Sequence, residues 1–198
     1  MKMRGRKKGS NGEESRSHLL SAAIDLFSQH GYHDTKISDI VSKADVSQPT
    51  FYLYFKNKEA LFEELIEQFR RELFELVACS KMERKHARQQ VSKDIAEGLV
   101  SIFRYFRNQP ELTRIGFYLS PKSEDIKKQL ARMIEAKWLP KQKQGCFRSG
   151  IDMGIAAETL VGVIDRLTLT QLFEKGENPQ MIAERMVSII LEGLFHGK

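Results

Sequence analysis

The sequence predicts an all-α fold, with a small N-terminal helical domain followed by a larger C-terminal one. Apolar residues recur at helical spacing along most of the chain, and no segment shows the sustained period-two alternation typical of strands. Turn-forming residues are scarce, with 13 Gly and 5 Pro in 198 residues. Because long helices need fewer turns than many short strands, we expect about nine helices.

The first expected helix covers residues 14–30, where Leu20, Ala23, Ile24 and Phe27 form an apolar stripe. Gly31 follows at a position where helices often end in the left-handed region. Residues 34–36 resemble the start of a second, shorter helix, with Thr35 as a possible N-cap. The apolar face of that helix consists of Ile37, Ile40, Val41 and Ala44.

Capping residues mark the start of the next two helices. The hydroxyl of Ser47 can accept a bond from a first-turn amide, and Pro49 suits the first turn because it has no amide proton. Asn57 is placed in the same way before a long helix that is expected to reach about Met82. Five further helices are expected over residues 88–107, 111–119, 123–144, 152–175 and 179–195.

Positive charge is concentrated at the start of the chain. Lys and Arg exceed Asp and Glu by 32 to 26, a formal net charge of +6. We expect residues 1–12 to form a flexible basic arm that either neutralises the phosphates of a polyanion or remains a solvated tail. Five basic residues precede the first acidic residue: Lys2, Arg4, Arg6, Lys7 and Lys8.

Several absences restrict the class of protein. No apolar run approaches the roughly 18 residues of a membrane-spanning helix, and no apolar segment follows the basic N-terminus as in a secretory signal. Cys79 and Cys146 are isolated from each other and match no zinc-binding spacing. We therefore expect a cytoplasmic protein that contacts no membrane and holds neither a metal nor a cofactor.

Residues 37–55 have the form of a helix-turn-helix, in which a short helix and a tight turn precede a second helix. The second helix opens with short or amide-bearing side chains, which can approach base edges in a major groove about 12 Å wide. Tyr52 and Tyr54 offer hydroxyls to backbone phosphates, whereas Phe51 and Phe55 are expected in the core. This segment predicts double-stranded DNA as a partner.

Two stretches of this segment resemble the DNA-binding domain of the TetR (tetracycline repressor) family. They are Ile37-Ser38-Asp39-Ile40 and the run VSQPTFYLYFKNKEAL over residues 46–61. Residues 22–27 and Gly31-Tyr32 are similar to the first helix of that family. The close resemblance covers about residues 16–65, and the rest of the chain is similar only in helical layout and length.

The resemblance implies a helix-turn-helix DNA-binding domain over residues 13–60 and a ligand-binding and dimerisation domain over residues 61–198. It also implies a homodimeric transcriptional regulator without enzymatic activity. The usual member of the family is a repressor that leaves a palindromic operator when a small-molecule effector binds.

Position by position, the resemblance implies a set of DNA contacts. Gln48 and Thr50 would face bases, and the others would mostly hold the phosphate backbone. Two residues depart from the family pattern: Asp45 stands where Gly is common, and Pro49 where a small residue is common. The implied contact residues are Thr35, Lys36, Ser47, Gln48, Pro49, Thr50, Tyr52, Tyr54 and Lys58.

Aromatic residues of the central helices are candidates for the walls of an effector cavity. The resemblance implies such a cavity, but aromatic residues at helical spacing are also ordinary core, and both interpretations remain open. Arg104 and Arg114 would either meet an acidic effector or lie solvated at the surface. The candidate cavity residues are Phe103, Phe106, Phe117, Tyr118 and Trp138.

The last two expected helices carry apolar stripes that suit a homodimer interface. DNA half-sites lie about one helical turn apart, so that proteins with small DNA-binding domains of this kind usually act as dimers. The alternative is that the stripes only bury the core of one chain. The candidate interface residues are Ile155, Leu160, Val163, Ile164, Leu167, Ile182, Met186, Ile189 and Ile190.

Other classes of function have less support in the sequence. No glycine-rich phosphate loop, GxSxG or HExxH motif occurs, and the five His residues show no metal-binding spacing, so that an enzyme is not expected. A scaffold that binds a membrane surface through the basic arm would call for a strongly basic amphipathic helix, which the chain does not have.

Overall fold

A computed structural model describes residues 10–80 and 88–192 of the chain. The described residues form nine α-helices and contain no strand, which confirms the predicted all-α class. The helices are α1 (Ser10–Asp34), α2 (Ile37–Lys43), α3 (Gln48–Tyr54), α4 (Lys58–Cys79), α5 (Arg88–Asn108), α6 (Pro110–Arg114), α7 (Ser123–Lys143), α8 (Met153–Leu167) and α9 (Pro179–Val187). The basic residues predicted to form the N-terminal arm, Lys2, Arg4, Arg6, Lys7 and Lys8, lie outside the described residues.

Three of these helices continue into wider, π-helical turns. These turns are Ile115–Leu119 after α6, Thr168–Phe173 after α8 and Ser188–Glu192 after α9. The spacing of apolar residues predicted each region as one uninterrupted helix. The change of winding depends on tertiary packing, which the spacing of apolar residues does not report.

Two of the three predicted capping residues, Ser47 and Asn57, precede their helices as expected, whereas Thr35 does not cap α2. Ser47 Oγ accepts a bond of 3.3 Å from the amide of Thr50, and Asn57 Oδ1 accepts one of 2.7 Å from the amide of Ala60. Gly31 has a non-helical φ of 78° and ψ of 171°, which kinks α1. The helix resumes after the kink and ends at Asp34. The positive φ explains why glycine occupies this position.

The described chain divides into two compact units. The first unit contains residues up to 69 together with residues 111–121. Within it α1 packs against α2, α3 and the π-helical turn after α6. Its fully buried side chains include Leu19, Phe27, Ile40, Phe51, Leu61, Leu65 and Phe69.

The second unit contains residues 70–110 and residues from 122 onwards. Here α7 packs against α8, and α5 packs against α9. An ion pair of 3.4 Å between Lys127 and Asp165 joins α7 to α8. Its buried side chains include Leu73, Phe103, Phe106, Leu130, Ile164 and Ile182.

Neither a membrane span nor a metal site is found in the part of the chain that the structure describes. No helix there is both long and apolar enough to cross a bilayer. No cluster of three or more His, Cys, Asp or Glu side chains that could hold a metal ion occurs among these residues. Cys79 and Cys146 are both free thiols.

Candidate functional site

The second helix of the helix-turn-helix, α3, is held by aromatic residues on its inner face. Phe51 is fully buried and Phe55 is 3% exposed, and their ring centroids lie 5.6 Å apart. Both α1 and α2 pack against α3, and the guanidinium of Arg16 lies 5.4 Å from the Phe55 ring centroid. Because one side of α3 is fixed in the core as predicted, its other side is presented to solvent in a defined orientation.

The solvent-facing side of α3 carries most of the predicted DNA-contacting residues. Ser47, Gln48 and Pro49 are exposed, Thr50 and Tyr54 are half-buried, and Tyr52 is 52% exposed. Leu53 is not among the predicted contact residues, although this apolar side chain is 78% exposed between the two tyrosines. Its position offers an apolar contact to a thymine methyl group or a sugar.

The first turn of α3 is stabilised by two hydroxyl groups. Ser47 Oγ lies 2.8 Å from Thr50 Oγ1, and the same Ser47 oxygen caps the Thr50 amide. Each side chain therefore fixes the rotamer of the other at the end of the helix that carries Gln48. This arrangement orients the leading edge of α3 before any ligand is present.

The structure places Thr35 inside the first unit. Its side chain is only 2% exposed, and its hydroxyl donates a bond of 2.8 Å to the carbonyl of Gly31. The N-cap position of α2 is Lys36 rather than Thr35, and the Asp39 carboxylate accepts a bond of 3.3 Å from the Lys36 amide. Lys36 itself is exposed, which leaves its ammonium accessible to a phosphate.

Lys58, the first residue of α4, binds backbone carbonyls within the first unit. Its ammonium donates bonds of 2.6 Å to the carbonyl of Tyr32 and 2.8 Å to that of Thr35. The same nitrogen lies 4.2 Å from the centroid of the Tyr32 ring. Lys58 therefore joins the end of α1 and the α1–α2 connection to the start of α4, an arrangement that the sequence analysis did not anticipate.

The turn between α2 and α3 contains a strained residue. Asp45 has a φ of 53°, in the left-handed region that disfavours residues with a Cβ atom. The amide of the next residue, Val46, donates a bond of 3.0 Å to the carbonyl of Val41, which closes the turn. The position thus has the conformation for which glycine is best suited.

We expect Asp45→Gly to raise the free energy of unfolding by about 0.5–1 kcal/mol, because it removes this steric cost at a site that already holds a positive φ. Urea denaturation followed by circular dichroism measures the change. Asp125→Gly, in the first turn of α7, is the matched control and should lower stability by up to about 1 kcal/mol. Equal destabilisation by both substitutions would contradict the argument.

A cavity in the second unit lies among α4, α5, α7 and α8, and has a volume of about 50 Å³. Its walls are mostly apolar, with two charged residues, Asp94 and Lys137. Burial lowers the pKa of the Lys137 ammonium. The apolar side chains lining it include Ile95, Leu99, Ile102, Ile134, Trp138 and Leu160.

The aromatic residues predicted to line an effector cavity are distributed over both units. Trp138 lines the cavity just described. Phe103 and Phe106 are fully buried residues of α5, whereas Phe117 and Tyr118 belong to the first unit. Inside that unit the ring centroids of Phe117 and Phe69 lie 6.1 Å apart.

The nine residues predicted to form a homodimer interface fall into three groups by exposure. Ile155 and Ile189 are exposed, at 67% and 54%. Val163, Leu167 and Ile190 are half-buried. The remaining four are buried within the single chain: Leu160, Ile164, Ile182 and Met186.

Comparisons with known proteins agree with this architecture. Residues 19–65 match the family model described as bacterial regulatory proteins, tetR family. The chain is 38% identical over 185 residues to the HTH-type transcriptional regulator YdgC of Bacillus subtilis (strain 168), covering 93% of this chain and 95% of that protein. It is 24% identical over 185 residues to the fatty acid metabolism regulator protein of the same organism, covering 91% of this chain and 95% of that protein.

Among solved structures, the chain is similar to the transcriptional regulator FadR from Bacillus subtilis in complex with stearoyl-CoA. The TM-score is 0.69 at 21% sequence identity, over 91% of this chain and 100% of that one, which indicates a shared fold. The relatives are transcriptional regulators, in agreement with the expectation that this chain is not an enzyme. With its helix-turn-helix and its similarity to YdgC over nearly the whole length, the chain belongs to the TetR family of DNA-binding transcriptional regulators.

Proposed function

We propose that this chain is a repressor that binds a palindromic operator as a homodimer and leaves it when a small molecule binds the second unit. The observation that carries the proposal is the exposed side of α3, fixed from behind by Phe51 and Phe55. The proposed DNA-contacting set is Lys36, Ser47, Gln48, Pro49, Thr50, Tyr52 and Tyr54, with Thr35 and Lys58 holding the helices that present them.

Selection of preferred duplexes from random DNA by the purified chain tests this proposal. The expected product is a two-fold symmetric sequence whose half-sites lie on one face of the duplex. The logarithm of the association constant should fall linearly with the logarithm of the salt concentration, because phosphate contacts release counterions. Failure to enrich any duplex at low ionic strength would refute the proposal.

We expect Gln48→Ala to weaken binding to the selected operator by about 1–3 kcal/mol while leaving binding to unrelated DNA unchanged. The reason is that an exposed amide at the start of α3 can form paired hydrogen bonds with a base edge, whereas alanine forms none. Fluorescence anisotropy with operator and scrambled duplexes measures both affinities. Gln29→Ala, an exposed glutamine on α1, is the control and should change neither affinity. If Gln48→Ala weakens binding equally to all DNA sequences, Gln48 contacts the phosphate backbone rather than a base.

The proposed homodimer would cover apolar side chains that one chain leaves in solvent. Ile155 on α8 and Ile189 after α9 are the most exposed of the predicted interface residues. Met181 on α9, which the sequence analysis did not include, is also 46% exposed. Burial of such side chains is the main favourable term in stable association.

We expect Ile155→Asp to raise the dissociation constant of the dimer about 100-fold, since it replaces two buried isoleucines, one from each chain, with unpaired carboxylates. Sedimentation equilibrium measures the constant. Leu139→Asp on α7 is the control, because Leu139 is 38% exposed and lies outside the predicted interface. Dimerisation that is equally strong in both variants would exclude Ile155 from the interface.

The connections of the chain suggest how an effector would act on DNA binding. Helix α4 begins in the first unit and ends in the second, where Val77 lines the cavity. Helices α5 and α7 also line the cavity, and the chain between them, residues 111–121, belongs to the first unit. A ligand that displaces these three helices would therefore act directly on segments continuous with the DNA-binding unit.

A further inference from the structure

Asp94, which lines the cavity of the second unit, has one polar atom whose bonding is incomplete. Asp94 on α5 is 8% exposed, and its Oδ1 accepts a bond of 2.8 Å from Gln90 Nε2. Its other carboxylate oxygen, Oδ2, is buried and has no hydrogen-bond partner among the described residues. Because buried polar atoms in folded proteins nearly always have a partner, such an oxygen calls for an explanation.

Lys137, the cation that also lines the cavity, does not supply that partner. Lys137 donates bonds of 3.1 Å to the carbonyl of Ala78, 2.9 Å to the carbonyl of Ser80 and 2.8 Å to Ser80 Oγ. These three bonds use all the donors of an ammonium group and cap the end of α4. The cavity therefore offers an acceptor and a negative charge, but no spare donor from Lys137.

The size and walls of the cavity limit which ligand could donate a hydrogen bond to Oδ2 of Asp94. A cavity needs about 10–15 Å³ to hold one water molecule, so that a volume of about 50 Å³ holds roughly three to five non-hydrogen atoms. The long acyl chain of a ligand such as stearoyl-CoA does not fit this space. The surrounding isoleucines, leucines and tryptophan favour an apolar body over a second polar group.

We propose that this cavity binds a small apolar primary amine, whose ammonium donates to Oδ2 of Asp94 while its carbon chain packs against Trp138 and its apolar neighbours. An ammonium suits the site better than a hydroxyl because it supplies a charge as well as a donor to a buried carboxylate. A carboxylic acid would place a second negative charge beside Asp94. The claim that this amine is the effector rests on the proposed function. Binding of the amine, however, is measured without DNA.

The test uses n-butylamine, 1-butanol and propionate as probes of matched size and the fluorescence of Trp138, the only tryptophan in the chain. Titration of the full chain at neutral pH and constant ionic strength should show saturable binding of the amine. We expect the amine to bind about 10-fold or more tightly than the alcohol or the acid. Equal or tighter binding of 1-butanol or propionate by the unmodified chain would overturn the proposal, whether or not any variant folds.

Asp94→Asn should lower the affinity for n-butylamine about 10-fold and leave that for 1-butanol within about twofold. Glu97→Gln is the matched control on the same helix, since the Glu97 side chain is 66% exposed, and it should leave all three affinities unchanged. An Asp94→Asn chain that keeps its preference for the amine would refute the assignment of Asp94.

The same probes, added to the complex with the selected duplex, separate the two proposals. If the amine binds but does not release DNA, the ligand assignment stands and the effector part of the proposed function fails. If the duplex is bound and is released by a different molecule while the amine shows no preference, the ligand assignment fails and the proposed function stands.

Discussion

Lys58→Met should lower the free energy of unfolding by about 2–4 kcal/mol, because it removes two charge-assisted hydrogen bonds and keeps the length of the side chain. The Lys58 ammonium donates bonds of 2.6 Å to the carbonyl of Tyr32 and 2.8 Å to that of Thr35. Among the described residues no other cation contacts these two carbonyls. The contact with the Tyr32 ring is lost as well. Guanidinium denaturation followed by circular dichroism measures the loss.

The effect on DNA distinguishes a scaffolding role of Lys58 from a phosphate contact. A residue that only binds phosphate would reduce the salt slope by about one and leave stability unchanged when it is removed. A residue that holds α1, α2 and α4 together would lower affinity for all duplexes through loss of the folded first unit, with the salt slope retained. We expect the second pattern, with lowered amide-exchange protection in residues 19–65.

Lys56→Met is the matched control for this substitution. Lys56 is an exposed lysine two positions before Lys58, and the structure shows no hydrogen bond or ion pair for it among the described residues. Its replacement should change stability by less than about 0.5 kcal/mol. If Lys56→Met and Lys58→Met destabilise the chain equally, the carbonyl contacts of Lys58 contribute nothing specific.

Local features of the fold could be predicted from the sequence because they depend on neighbouring residues. The caps at Ser47 and Asn57 join atoms only three residues apart. Serine and asparagine are preferred at N-cap positions, so that the residue type alone predicts the hydrogen bond. The positive φ of Gly31 and the burial of Phe51 follow from residue type and spacing in the same way. The resemblance over residues 16–65 reflects these local patterns.

Features that depend on distant contacts could not be predicted in this way. Lys58 contacts carbonyls 26 and 23 residues earlier, and no spacing rule relates such positions. A phosphate-binding lysine and a carbonyl-binding lysine at the start of a helix look the same in sequence. The incomplete bonding of Asp94 likewise depends on how α5 meets other elements of the second unit. Whether a buried polar atom has a hydrogen-bond partner depends on three-dimensional packing.

Gly116→Ala should destabilise the first unit by about 3 kcal/mol or more, through a clash that the core cannot relieve. A Cβ atom at Gly116 would lie 2.1 Å from Cδ1 and 2.4 Å from Cγ of Phe69, and 2.8 Å from its Cβ. These atoms are close to the backbone, so that rotation of the ring does not move them all away. Because the π-helical turn 115–119 packs against α1, we also expect weaker operator binding.

A double-mutant cycle with Phe69→Ala gives the sharpest test of this clash. Phe69→Ala alone leaves a cavity and should cost about 3–5 kcal/mol. It also removes Cγ and Cδ1, so that of the three close contacts with the Cβ of Gly116→Ala only that with the Cβ of residue 69, at 2.8 Å, would remain. The double variant should therefore be markedly more stable than the sum of the two single effects predicts. Gly162→Ala on α8, where nothing lies within 4 Å of a new Cβ, should instead stabilise the chain by up to about 1 kcal/mol. Additive effects in the cycle would show that the close approach of Phe69 does not account for the cost of Gly116→Ala.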